Sequence, residues 1–240
     1  MMTKPTIGLI VPPAHGKVPT DAASLYGDRY NFIARGVGIH AISPAGFEPV
    51  VDRIVELAEE VRAAGAEAIS VMGTSLTFYR GPAVAENLRQ TMEDVTGVPC
   101  TTMSHGMVNA LRAMGVRRVA VATSYIDDLN QRLQAFLVHH GFTVTAIQGL
   151  SIDGVTKAGE VTTETLVDLA STVIERDPSA EGVFISCGGL LTLDAIRILE
   201  DRYDLPVTAS SPAAFWDVVR TGGWDPSSAQ GGRLFQSVHV

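Results

Sequence analysis

The chain has 240 residues, 46% hydrophobic and 18% charged, enough to bury a core as one large domain or two modest ones. Its formal charge of −8 and pI near 5.2 exclude a broad nucleic-acid surface. The mean hydropathy of +0.20 does not mark a membrane protein, because its apolar runs are strand-length and none nears a span of about 20 residues.

The opening MMTKPTIGLIVPP lacks the long apolar stretch and small-residue cleavage site of a signal peptide, so a cytoplasmic protein with neither nucleic-acid nor membrane partners is expected. Two cysteines, Cys100 and Cys187, are too few for a disulfide framework. No Cys/His cluster has zinc spacing, so no metal is expected.

Short β-rich runs alternate with longer amphipathic segments, the pattern of parallel sheets covered by helices. In chain order the strands are expected at Thr6–Val11, Ala68–Met72, Val98–Thr102, Val119–Thr123, Thr143–Ile147, Val183–Ser186 and Pro206–Ala209. Helices are expected at Phe47–Ala64, Ala83–Thr96, His105–Met114, Ile126–His140, Thr163–Arg176, Thr192–Arg202 and Pro212–Arg220. In the first helix Val50, Ile54, Leu57 and Val61 recur at helical spacing. Gly65 and Gly115 are placed to end helices, and Thr192 and Ser211 to cap the ones that follow. Cys100 reads as a small buried residue on a strand, His139 and His140 as a solvated helix end, and the tail from Gly222 as irregular.

Two stretches echo each other. IGLIV from Ile7 opens one half as VAVAT from Val119 opens another, and AISVMGTS, with Gly73, parallels GVFISCGG, with Cys187. Two related halves are therefore expected, each ending a strand in a polar, glycine-containing turn. Parallel sheets bind ligands at the carboxyl ends of their strands, so facing halves put Gly73 and Cys187 on opposite walls of one cleft.

The turn Cys187-Gly188-Gly189, between a buried strand and a helix, exposes backbone N–H groups to an anion and favours a thiolate. Gly73-Thr74-Ser75 repeats this with two hydroxyls, and Tyr125 brings a phenol from a third strand end. Together they form a cradle suited to a carboxylate or an enediolate. From the residues alone Cys187 stays open as inert packing, nucleophile, base or acid. Thr74 and Ser75 equally suit a helix start, and Tyr125 a sheet edge. Gly36-Val37-Gly38 lacks the third glycine of a dinucleotide fingerprint, His15-Gly-Lys17 is no phosphate loop, and no serine-hydrolase elbow occurs.

VMGTSLTFYRG, RRVAVATSYIDD, VFISCGGLLTLDAI and SSPAAFWD resemble the arylmalonate decarboxylase family of the aspartate/glutamate racemase superfamily, from about Pro5 to about Trp216. The resemblance implies an α/β fold of two pseudo-symmetric Rossmann-like halves, each a parallel sheet flanked by helices, with the active site in the cleft between them. On this basis residues 1–114 form the first half and 115–209 the second, and 210–240 pack back onto the first.

The superfamily's racemases carry one cysteine per half. Here the second-half cysteine is Cys187, while Gly73 stands at the first-half position, leaving one thiol to protonate a carbanion from one face. Loss of CO2 from an α-aryl malonate supplies such a carbanion, with the retained carboxylate as electron sink and no cofactor required. The resemblance assigns Cys187 as proton donor. It gives Thr74, Ser75 and Tyr125, with the N–H groups of Ser75 and Gly188, as the dioxyanion cradle. Gly73 provides room for the aryl group, and Pro12, Pro13, Ile39, Ile42, Val155 and Ala158 form an apolar pocket that favours departure of a carboxylate as neutral CO2. The expected partner is a small dicarboxylate substrate, and the expected state a monomer. The rival readings are an isomerase or racemase of a small carboxylate, as in the maleate isomerases, and a non-catalytic carboxylate-binding protein.

Overall fold

The computed structural model describes residues 4–152 and 154–236, the side chains of Val155 and Thr156 excepted. The first half runs β1 (Thr6–Val11), α1 (Asp21–Tyr26), β2 (Asn31–Gly36), α2 (Pro44–Phe47), α3 (Arg53–Ala63), β3 (Ala68–Val71), α4 (Thr74–Phe78), α5 (Pro82–Thr96), β4 (Cys100–Thr102) and α6 (Met103–Ala113). The second runs β5 (Arg118–Thr123), α7 (Asp127–His139), β6 (Thr143–Gly149), α8 (Val155–Ala158), α9 (Thr163–Arg176), β7 (Gly182–Ser186), α10 (Leu193–Tyr203) and β8 (Val207–Ala209). Two further helices follow, α11 (Ser210–Thr221) and α12 (Arg233–Gln236).

Each half holds a four-stranded parallel sheet, ordered β2-β1-β3-β4 and β6-β5-β7-β8. The two orders correspond strand for strand, which is the physical content of the sequence echo. β3, β4, β7 and β8 are wholly buried, the condition that makes parallel strands read as continuous apolar runs.

The sequence reading missed β2. Its sequence NFIARG mixes polar and apolar residues because it is a half-exposed edge strand paired only with β1. The first long helix begins at Arg53 rather than Phe47. Pro49 interrupts the stretch, which begins as the end of the short α2 and a tight turn, closed by Val50 N–H donating to Phe47 O at 3.1 Å. Neither proposed hydroxyl cap forms: Thr192 precedes α10 without a capping bond, and Ser211 lies inside α11. The tail is not wholly irregular, since α12 forms within it; residues 237–240 lie outside the described part.

Helix α11 follows β8 directly and packs against α6, β3 and β4 of the first half while also touching β7 and β8. Asp217, fully buried on α11, accepts hydrogen bonds from Thr101 Oγ1 at 2.5 Å and Asn109 Nδ2 at 2.9 Å and pairs with Arg220 at 2.8 Å. A buried carboxylate with this many donors fixes α11 to β4 and α6. Phe32 and Phe215 meet edge to face at 5.5 Å across the same layer. Across the halves, Phe78 lies 6.0 Å from Tyr125 and 6.1 Å from Phe136, and one apolar cluster includes residues of both sheets.

Candidate active site

In an order such as β2-β1-β3-β4 the chain reverses direction between β1 and β3, and the crevice beyond their carboxyl ends is open to a ligand. The corresponding strands of the second half are β5 and β7. Pro12 follows β1, Met72-Gly73 follow β3, Ser124-Tyr125 follow β5 and Cys187-Gly188 follow β7. Both crevices open into one cavity of about 270 Å3. Its wall includes Gly73, Thr74 and Ser75 from the first half and Cys187 and Gly188 from the second. Pro12, Pro13, Ile39, Ile42 and Ala158 supply the apolar part. The backbone of Val155 belongs to α8, but its side chain lies outside the described residues.

Cys187 is 5% exposed. Burial is the largest influence on its thiol and pushes its pKa above the ordinary range, while Ser124 and the Gly189 N–H act in the opposite direction. The Cys187 N–H donates to Ser210 Oγ at 3.0 Å, and the Thr74 hydroxyl donates to the same atom at 2.7 Å. Gly188 packs closely across the cleft: a Cβ there would lie 3.0 Å from Met103 Sδ and 3.4 Å from Met72 O, both in the first half. The turn that carries the thiol therefore abuts the residue preceding Gly73.

Gly73 has extended backbone with φ −147° and precedes α4. A Cβ built on it meets Leu76 Cβ at 3.1 Å and Pro12 Cγ at 3.5 Å, a contact that a small shift of Leu76 relieves. Thr74 and Ser75 open α4, so their backbone N–H groups belong to the helix's first turn, where no carbonyl within the helix reaches them. Tyr125 packs against the cavity-lining Thr74 and Ser75. It is buried behind the wall, where its hydroxyl accepts from Ser186 Oγ at 3.2 Å, and the side chains of Thr74 and Ser75 lie close enough to bias its ionisation. Burial pushes its phenol upward, so it stays protonated and able to donate.

The other thiol is structural. Cys100, on β4, is 1% exposed, and burial pushes it up to about 11. Of the histidine pair expected in solvent, His139 is exposed, while His140 is half-buried and packs at a tilt on Phe136 at 4.6 Å with its Nε2 buried.

Sequence reasoning missed Ser210, which joins Thr74 to Cys187, and the polar residues Asp21 and Ser211 of the cavity wall. It dismissed His15 and Lys17 as a phosphate loop, yet both line the same cavity. The only signal was the serine pair that opens the helix in SSPAAFWD, which gives no hint of its distant partners. Among the described residues no group of three or more His, Cys, Asp or Glu is placed to hold a metal ion, and no helix is long and apolar enough to cross a membrane.

The twin parallel sheets, with a thiol and a glycine turn lining one cleft, define a two-half α/β enzyme. The family model described as arylmalonate decarboxylase matches residues 7–235. Arylmalonate decarboxylase of Bordetella bronchiseptica is 50% identical over 232 residues, 96% of each chain. The chain belongs to the arylmalonate decarboxylase family and is a carboxy-lyase.

Among solved structures, a liganded arylmalonate decarboxylase carrying one Gly-to-Cys and one Cys-to-Ser exchange superposes with a TM-score of 0.94 at 49% identity, covering 96% of this chain and 98% of that one. A maleate isomerase from Pseudomonas putida S16 shares the fold with a TM-score of 0.89 at 19% identity, over 98% and 99% of the two chains.

Proposed function

We propose that the enzyme decarboxylates α-aryl malonates to 2-arylalkanoates enriched in one enantiomer, with Cys187 as the sole proton donor. The observation that carries this reading is one buried thiol and a glycine turn lining a single cavity, with Ser210 joining the two walls. The glycine and cysteine exchanged in the liganded relative are spaced as Gly73 and Cys187 are here.

In this mechanism one malonate carboxylate occupies the turns at Thr74, Ser75 and Gly188. The other lies against Pro12, Ile39, Ile42 and Ala158, where an anion is poorly solvated. The bond between the α-carbon and that carboxylate breaks, CO2 leaves, and the electron pair passes to the retained carboxylate as an enediolate. Backbone N–H groups of the first turn of α4 and of the Cys187 turn stabilise the developing charge. Ser210 is able to donate to Thr74 while Thr74 turns its proton to the enediolate. Tyr125 supports both hydroxyls from behind the wall. Cys187 then gives its S–H proton to the α-carbon from one face, and the thiolate regains a proton from solvent. Burial of the thiol suits this role, since it keeps the acid form populated.

The test is to incubate purified enzyme with α-methyl-α-phenylmalonate and no added cofactor, measuring CO2 release and the enantiomeric ratio of the product. Stoichiometric CO2 with a strongly biased ratio is expected. A folded enzyme that releases none, or a racemic product, refutes the proposal; α-deuterium exchange without CO2 release identifies isomerase chemistry instead.

A further inference from the structure

Asp21 lies at the start of α1 and lines the substrate cavity, yet it is only 6% exposed. Beside it the Ser211 side chain, from the first turn of α11, lines the same cavity, is 3% exposed and lies close enough to Asp21 to act on its carboxyl, with no other hydrogen-bond partner. Burial is the larger influence on Asp21 and pushes its carboxyl above the usual carboxylate range, while Ser211 acts the other way. Among the described residues Asp21 enters no ion pair.

Buried polar groups in folded proteins are nearly always paired, and a carboxyl with one hydroxyl beside it has acceptor positions to spare. The Thr74–Ser210–Cys187 hydrogen bonds do not involve either group. Both residues line the cavity, so a ligand donor is able to reach the Asp21 carboxyl beside Ser211.

We propose that Asp21 and Ser211 form a polar subsite for a hydrogen-bond donor, a hydroxyl or N–H, carried on the α-substituent of the substrate. This rests on the decarboxylase reading for the carboxylate end and names the class of the remaining substituent. The chemistry of Asp21 sets the direction: its oxygens accept from a donor, and an ionised carboxyl repels a malonate carboxylate. The same residue therefore draws the substituent in and steers both carboxylates towards the other wall. A site built to bond a substrate hydroxyl discriminates strongly against an analogue that lacks it, because the site's own polar groups are then stranded.

The test uses product analogues, so that it does not depend on turnover. Dissociation constants of phenylacetate, 3- and 4-hydroxyphenylacetate and the matching methyl ethers are measured by calorimetry on wild type, Asp21→Asn and Asp21→Leu, alongside kcat/KM for the corresponding malonates. At one ring position the phenol binds about tenfold or more tighter than its ether and than phenylacetate. The ratio falls to near one in Asp21→Leu and is partly kept in Asp21→Asn, whose amide oxygen still accepts. Should Asp21→Leu not fold, Ser211→Ala carries the same comparison and lowers the ratio. Equal binding of phenol and ether at both positions, or a ratio that survives these substitutions, overturns the subsite. If the ratio holds while no malonate loses CO2, the decarboxylase reading alone falls; if malonates lose CO2 with no ratio, the subsite alone falls.

Discussion

Thr74 and Cys187, from different halves of the molecule, meet at one atom: the Thr74 hydroxyl and the Cys187 N–H both donate to Ser210 Oγ, at 2.7 Å and 3.0 Å. Removing that oxygen strands two buried donors. Ser210→Ala is therefore expected to lower stability by about 1–3 kcal/mol. In the proposed mechanism it also lowers kcat by about tenfold, since it lets the two walls drift. Denaturant unfolding and steady-state kinetics on one preparation check both, and an unchanged kcat with reduced stability would confine Ser210 to a structural role.

Cys187→Ser replaces the proposed proton donor with a far weaker acid of similar shape. Turnover is expected to fall by about 10²–10⁴, the range for losing a positioned general acid, with little change in melting temperature. Gly73→Cys combined with Cys187→Ser moves the thiol to the other wall. The built Cβ is tight only against Leu76, so the variant is expected to fold, and chiral chromatography should show product of the opposite hand. Product of unchanged hand would disprove the facing arrangement.

The pH dependence follows from the raised pKa of the Cys187 thiol. The proposed donor is active when protonated, so kcat/KM should hold through the ordinary thiol range near about 8.5 and fall only at higher pH. A profile that already falls below that range would mean a thiolate is populated at rest. Cys100, pushed up to about 11, should resist iodoacetamide at pH 8 in the folded protein and react once urea unfolds it.

His140 offers a stability test independent of catalysis. Burial is the main cause holding its pKa down to about 4, with Arg112, His139 and His105 adding to the effect and Glu86 opposing it. The folded state thus binds fewer protons than the unfolded chain between the ordinary value near about 6.5 and about 4. Its contribution is present above that window and is lost as pH falls through it. Melting curves of wild type and His140→Gln should differ in slope across pH 6.5 to 4 and run parallel above; equal slopes would refute the assignment.

The alternation of buried strands with amphipathic helices was legible because full burial on both faces writes itself as runs such as VAVAT and GVFIS. β2 was not legible, because an edge strand tolerates Asn31, Arg35 and Gly36. The site divides in the same way. Cys187 and Gly73 announce themselves through glycine turns at strand ends. Ser210 acts on Thr74 from 136 residues away, and Asp21 meets Ser211 only once α11 has crossed to the first sheet. Such meetings are made by tertiary packing, and no local pattern encodes them.

The crossing of α11 also constrains how the protein comes into being. α11 covers α6, β3 and β4, yet it is translated after the whole second half. A nascent first half therefore emerges from the ribosome with an apolar face unroofed, and it waits for the last strand of its sister before it closes. The later tail ties both halves together, through Arg29 with Asp225 and Ser227 on one side and Glu200 with the backbone of Arg233 on the other. The Cys187 N–H consequently finds Ser210, at the start of α11, only after the second half has been made.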